Sequence, residues 1–137
     1  MIADFTITIE DARKPLAVRV QVHDSVSALR SAATRYNNRF SNKRHDGDFH
    51  NTLGLCHRFH MASDPVCAIV RLAPPHLNVG IVAHEMAHAA VWIREIEEKF
   101  EGPPLTCEND ERFCWILGEL VKSTMYEIYK LKMTEAL

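Results

Sequence analysis

Two histidines and a glutamate lie within one five-residue segment, His84-Glu85-Met86-Ala87-His88. On a helix, residues four apart project from one face in adjacent turns, so both imidazoles could reach a single metal ion. Glu85 would lie about 100° around the helix from His84, close enough to hold a water molecule beside that metal. These residue types at this spacing predict a metal centre that activates water.

The segments that flank this motif, residues 81–83 and 89–93, contain no charged residue, Pro or Gly. Apart from the two histidines and the glutamate, residues 81–93 are all apolar, which predicts a helix buried in a domain core. Isolated His and Glu side chains are costly to bury, and a bound metal would supply the partner that they need. The alternative is a pair of structural histidines that hydrogen-bond to backbone or carboxylate groups.

The composition is that of an ordinary globular domain. The 137 residues carry a net charge of −2, with 47% hydrophobic and 25% charged residues, so we expect residues 1–137 to form a single domain. This charge gives no electrostatic reason to expect nucleic acid or an anionic membrane as a partner. The chain has neither an apolar run long enough for a transmembrane helix nor the features of a signal peptide. We therefore expect a cytoplasmic protein with free cysteines, and the oligomeric state stays open.

The elements that must position the motif can be predicted from hydrophobic periodicity. The alternation in 5–9 and 16–22 predicts a β-hairpin, and further strands are expected at 53–60 and Val66–Leu72. Helices are expected from an Asp24 or Ser25 cap to about residue 38, from about 77 to about 100 around the motif, and from about 106 or 109 to about 133. The expected fold class is α+β, with a small twisted sheet packed against about three helices and the metal between the last two.

A third metal ligand is expected from the last helix. A catalytic zinc site takes three protein ligands and leaves one position for water. The first turns of that helix hold the acidic residues Glu108, Asp110 and Glu111. An acidic residue at a helix N-terminus is also favoured by the helix dipole alone, so each of them has an alternative structural role.

The motif and the segment 110–121 resemble the gluzincins, the zincin-type metallopeptidases whose HExxH motif is completed by a Glu on the next helix. In that family a Gly follows the ligand Glu seven residues later, and Glu111 and Gly118 stand in these places. The family also has an Asp four residues after the ligand, where this chain has Trp115. The resemblance covers about residues 66 to 121 and is greatest to small zinc peptidases encoded by phages and prophages.

The resemblance implies a minimal zincin-like hydrolase that binds one zinc ion through His84, His88 and Glu111, with Glu108 as the competing third ligand. Glu85 would be the general base in the cleavage of a peptide or protein substrate, while zinc would lower the pKa of its water to about 7. The strand Val66–Leu72 would be the edge strand that holds the substrate by backbone hydrogen bonds. The expected candidates for a donor to the oxyanion are His57, His60, His76 and Tyr126.

Two rival hypotheses use the same residue types differently. Cys56, His57, His60 and Cys67 could form a separate structural zinc site, although their spacing is not a common finger pattern. The chain could also be a non-catalytic zincin-fold binding or adaptor protein with a structural zinc. The missing second lobe of the larger peptidases favours this adaptor hypothesis. The intact Glu85 argues against it, because a structural site needs no general base.

Overall fold

The computed structural model of the chain describes residues 1–10, 15–40, 52–61, 63–101 and 111–136. In chain order the elements are β1 (Ala3–Ile9), β2 (Leu16–Val22), α1 (Val26–Phe40), β3 (Leu55–Arg58), β4 (Val66–Leu72), α2 (Val79–Glu101) and α3 (Glu111–Ala136). The prediction of an α+β fold with a small sheet and three helices is confirmed. Most of the polar segment between α1 and β3 lies outside the described residues.

The four strands form one mixed sheet in the order β1-β2-β4-β3. The predicted hairpin of β1 and β2 is confirmed, and β3 pairs antiparallel with β4. β2 and β4 are parallel, with α1 and β3 in the long connection that parallel strands require. The expectation that Val66–Leu72 is an edge strand is wrong, because β4 has a hydrogen-bonded neighbour on each side. Among the described strands, the edge strand beside it is β3.

The two faces of the sheet differ sharply in composition. On the apolar face, alternate residues of the strands pack with α2 and α3 into the main core, which includes Ile7, Val18, Val20, Val70, Leu72, Val82, Met86, Ile93, Ile116, Leu120 and Ile128. On the polar face, the strand register aligns Asp4 with Gln21 and Gln21 with Arg71. Burial of alternate apolar residues therefore orients the sheet and directs its charged side chains toward α1.

The first helix lies over the polar face. Ser25 caps it by accepting a hydrogen bond from the Ala28 N–H at 3.0 Å, as the sequence predicts. Leu29 and Ala33, which lie four residues apart on this helix, are fully buried. Tyr36, one turn further along, contacts the His57 ring at a centroid distance of 4.3 Å. This contact places α1 against the side of β3 opposite α2, because neighbouring residues of a strand face opposite sides.

The second helix, which carries the motif, is held at its start and at its middle. The Asn78 side chain accepts a hydrogen bond from the Ile81 N–H at 3.0 Å and caps the helix. The indole N–H of Trp92 donates to the carbonyls of Phe59 and Cys67, at 2.9 and 3.0 Å. These two bonds attach the middle of α2 to the residue that follows β3 and to the second residue of β4.

The third helix begins beside the last turns of α2. The Arg112 Nε donates to both carboxylate oxygens of Glu97, at 3.1 and 3.3 Å, and the Glu97 side chain is 9% exposed. The predicted helix starts at 106 and 109 lie outside the described residues. None of the described helices is long and apolar enough to cross a membrane. Cys56, Cys67 and Cys114 are free thiols, as expected.

Candidate metal centre

His84 and His88 lie in adjacent turns of α2 and line the same cavity. Their ring centroids are 5.0 Å apart and the rings are nearly perpendicular, at 77°. The His84 side chain is 67% exposed, and His88 is also exposed. The cavity has a volume of about 610 Å³ and lies between α2 and the segment that contains β3. The helical spacing predicted from the sequence therefore brings both imidazoles to one accessible site.

Glu85 lines the same cavity but is buried, with 7% of its surface exposed. Its Oε1 atom lies 3.8 Å from the His84 Nε2 atom. Burial raises the pKa of the Glu85 carboxyl, and the nearby His84 acts in the opposite direction. A carboxylate in such surroundings is a stronger proton acceptor than one in water.

Gly54 allows the chain before β3 to lie directly against Glu85. A Cβ atom at this position would lie 2.9 Å from Ile81 Cγ2 and 3.1 Å from Glu85 Cγ. Real Cβ atoms do not come so close to a branched side chain, so only Gly fits here without movement. The sequence alone could not reveal this role, since the contact depends on how β3 is placed over α2.

Arg58 is the cationic residue in the wall that faces the motif. This wall consists of Thr52, Leu53, Gly54, Leu55, Cys56 and Arg58. His88 has a lowered pKa, mainly because of burial and secondarily because of the charges of His84 and Arg58. Arg58 was not among the expected oxyanion donors. The signal that could have found it is the alternation of β3, which puts Arg58 on the same face as Cys56.

None of the four expected oxyanion donors is among the described residues that line this cavity. His57 faces Tyr36 on the polar side of the sheet. Tyr126, on α3, is 61% exposed and lies beside β1. Neither His60 nor His76 is among the described residues that line the cavity. Arg58, in contrast, is a lining residue of this cavity.

Glu111, the expected third ligand, is the first residue of α3 and is exposed. The next residue, Arg112, bonds to Glu97, which lies nine residues after His88 and therefore about 14 Å further along the helix axis. Glu111 is not among the described residues that line the cavity, and Glu108 lies outside the described ranges. Glu111 as third ligand stays a prediction.

The other positions of the gluzincin pattern have local roles in α3. Trp115 stands where that family has an Asp, is 43% exposed, and has the Arg112 guanidinium 5.0 Å from its ring. A Cβ atom on Gly118 would meet no other group within 4 Å. This structure therefore gives neither residue a part in orienting a histidine.

The rival site of two cysteines and two histidines is not assembled. Cys56 and His57 are neighbours on β3 and face opposite sides of the sheet. Cys67 is buried and its thiol lies 3.5 Å from the Ala17 carbonyl. Across the described parts of the chain, no three or more His, Cys, Asp or Glu side chains are grouped so that they could hold a metal.

The chemistry of the cavity fits zinc at the two histidines. Imidazole nitrogen and carboxylate oxygen are ligands that zinc takes in proteins, and both imidazoles are open to solvent. Glu85 lines the same cavity. The two histidines would supply two of the three protein ligands that a catalytic zinc site takes.

Comparisons with protein-family models, with curated proteins and with solved structures gave no match to this chain. The class that the fold and the site define is an α+β domain with two histidines and a buried glutamate around one cavity. Any assignment of function to this domain rests on that cavity and on the motif that lines it.

Proposed function

We propose that this protein is a zinc-dependent peptidase of the cytoplasm that cleaves a peptide or protein substrate. The observation that carries the proposal is the opening of two exposed imidazoles and one buried carboxylate into a single cavity. His84 and His88 hold the metal, and Glu111 is the proposed third ligand. A bound zinc ion supplies Lewis-acid activation of water and of the scissile carbonyl.

Glu85 is the proposed general base. Its carboxylate accepts the proton of the attacking water and passes it to the leaving amine. The buried position beside Gly54 keeps the side chain in one place, so the carboxylate stays aligned with the reacting atoms. This role accounts for an acidic residue buried on a helix whose neighbouring positions are apolar.

The wall opposite the motif provides the remaining groups. β3 is an edge strand, and its outer backbone groups can pair with an extended peptide laid along the cavity. Arg58 reaches the same cavity and is the proposed donor to the oxyanion that develops on the scissile carbonyl. The substrate therefore lies between β3 and the histidine face of α2.

The test combines elemental analysis with a peptidase assay on purified protein. Glu85→Gln removes the proton acceptor but keeps the shape of the side chain, so it should retain zinc and lose at least about 100-fold in kcat/KM. Glu95→Gln makes the same chemical change on the exposed side of the same helix and should leave both readouts unchanged. Absence of zinc after reconstitution, or equal activity in both variants, would contradict the proposal.

The third ligand can be assigned by the same elemental analysis. Glu111→Ala should reduce zinc content, whereas Glu108→Ala should keep it. The reverse result would transfer the ligand role to Glu108, and zinc retained in both variants would show that neither residue is a ligand. Measuring the unfolding of each variant separates the loss of a ligand from the loss of the helix.

The second candidate function is a non-catalytic zincin-fold adaptor with a structural zinc. The observation that favours it is that, among the described residues, the cavity contains two histidine ligands and no acidic residue other than Glu85. In that case the natural protein would bind zinc without cleaving peptides, and Glu85→Gln would change neither property. The peptidase assay of the unmodified protein therefore decides between the two candidates.

A further inference from the structure

A second cavity lies on the opposite side of the sheet, between α1 and the polar face. Its volume is about 700 Å³, and three arginines line it: Arg35 and Arg39 from α1 and Arg71 from β4. The hydroxyl groups of Ser31 and Tyr36 are on residues that line the same cavity. This concentration of guanidinium groups serves no step of the peptidase chemistry and is independent of the proposed function.

Arg71 is the most unusual of the three arginines, because it is only 6% exposed. Its Nη1 atom donates to the Gln21 side-chain oxygen at 2.6 Å and lies 3.2 Å from the His23 Nε2 atom. Its Nε atom is buried and has no hydrogen-bond partner among the described residues. The contacts of this buried charge are thus a neutral amide, an imidazole and the Tyr36 ring, whose centroid lies 5.7 Å from the guanidinium carbon. None of these described groups is a negative counter-ion for the arginine.

The carboxylates near this cavity already have partners. Asp4 accepts hydrogen bonds from Arg19 at 2.9 and 2.6 Å and a longer one from Gln21. Asp24, which lines the cavity, pairs with the N-terminal ammonium at 2.6 Å. In the portions of the chain that the structure describes, neither Arg35 nor Arg71 forms an ion pair. The charges of Arg35 and Arg71 are thus not neutralised from within these portions.

The sequence of α1 builds the cavity in a regular way. Residues at spacings of three and four face it, namely Ala28, Ser31, Ala32, Arg35 and Arg39. The small side chains of the first two turns leave space above the sheet, and the arginines of the following turns border that space. The neighbouring stripe of Leu29 and Ala33 is buried, so the orientation of the helix is determined by packing.

We propose that this cavity binds the phosphate group of a small phosphate monoester. A guanidinium donates two parallel hydrogen bonds to a phosphate, and the two positive charges of Arg35 and Arg71 match the double negative charge of a phosphate group. A phosphate monoester carries a charge of about −1.5 to −2 near neutral pH and offers three acceptor oxygens. The cavity is also within the size range of sites for small ligands, so the organic part of the molecule fits beside the phosphate.

The experiment is calorimetric titration of the full chain with ribose 5-phosphate, inorganic phosphate and ribose. Ribose 5-phosphate should bind, inorganic phosphate should compete with it, and ribose should give no heat of binding. Arg35→Gln, on the exposed helix, should weaken binding by about tenfold or more. Arg30→Gln removes the same charge from the same helix outside the cavity and should change the affinity less than about twofold.

A result that removes the proposal can be recognised even if one variant fails to fold. Arg71→Gln should abolish phosphate binding, and if this buried substitution unfolds the protein, Arg35→Gln still decides the question. No binding of either phosphate compound, or equal weakening in Arg30→Gln and Arg35→Gln, would overturn the site. Tighter binding of a short single-stranded oligonucleotide than of ribose 5-phosphate would overturn its assignment to a small molecule.

Discussion

The two cavities on opposite sides of the sheet are built on different principles. In the candidate metal cavity, which His84, Glu85 and His88 line, polar groups project from a helix whose other side is packed in the apolar core. In the arginine cavity, a charged residue comes from the sheet itself and is covered by a helix with small side chains. The first arrangement holds its functional groups by shape, and the second holds them by hydrogen bonds and charge. The two sites should therefore respond differently to mutation and to pH.

The largest expected effect is a loss of stability when the packing beneath the candidate metal cavity is disrupted. Met86 lies inside the motif and is fully buried in the main core. Met86→Ala should lower the free energy of unfolding by about 2–5 kcal/mol, because a buried side chain leaves a void. Met61→Ala makes the same change at a residue that is 60% exposed, and it should cost less than about 0.5 kcal/mol. Urea denaturation measures both, and equal losses would contradict the view that packing supports the motif.

A smaller but more local effect is expected at Gly54. A methyl group there would lie 2.9 Å from Ile81 Cγ2 and 3.1 Å from Glu85 Cγ. Gly54→Ala should destabilise the protein by about 1–3 kcal/mol and reduce the proposed peptidase activity, since residue 54 must move away from Ile81 and Glu85. Gly118→Ala is the matched control, because its methyl group meets open space on a helix and should stabilise by about 0.5–1 kcal/mol. Chemical denaturation with a parallel activity assay tests both, and unchanged activity in Gly54→Ala would contradict the contact.

The smallest effect concerns the pH dependence of the polar face. Burial, and secondarily the Arg71 charge, lower the pKa of His57 to about 4 from its ordinary 6.5. Below about pH 6.5 the unfolded chain binds a proton that the folded chain excludes, so stability is lost as the pH falls from about 6.5 to about 4. His57→Phe should remove about 1–2 kcal/mol of that loss.

Urea midpoints of the natural protein and of His57→Phe, measured at about pH 7 and about pH 4.5, provide this comparison. Relative to the natural protein, His57→Phe should be more stable at about pH 4.5 than it is at about pH 7. A difference that stays constant over this range would show that His57 titrates alike in the folded and unfolded chains. The same pair of measurements on Met61→Ala gives the background set by the other titrating groups.

The parts of the fold that follow from local pattern were predictable. The alternation of Leu16–Val22 and the apolar run of Val66–Leu72 predicted strands that the structure shows with the same limits. The motif helix was predicted within two residues of its observed start and end. Each of these segments carries its own periodicity, so no knowledge of distant contacts was needed.

The order of the strands could not be read in this way. β2 and β4 pair in parallel across a long connection, and the sequence of neither strand indicates which strand it pairs with. The same limit explains why β4 was mistaken for an edge strand. The burial of Arg71 could not be predicted from the sequence either, because a single charged residue near the end of an apolar strand is normally at the surface. Its burial depends on α1, which joins the sheet only in three dimensions.

The fluorescence of Trp92 can report changes near the candidate metal cavity. The chain has two tryptophans, and Trp92 lies one helical turn after His88 with its indole N–H bonded to the carbonyls of Phe59 and Cys67. The other, Trp115, is 43% exposed on α3. A quencher dissolved in the buffer therefore reaches Trp115 first, so the remaining emission comes mainly from Trp92. A change in that emission would report movement between α2 and the β3–β4 pair without any label attached to the protein.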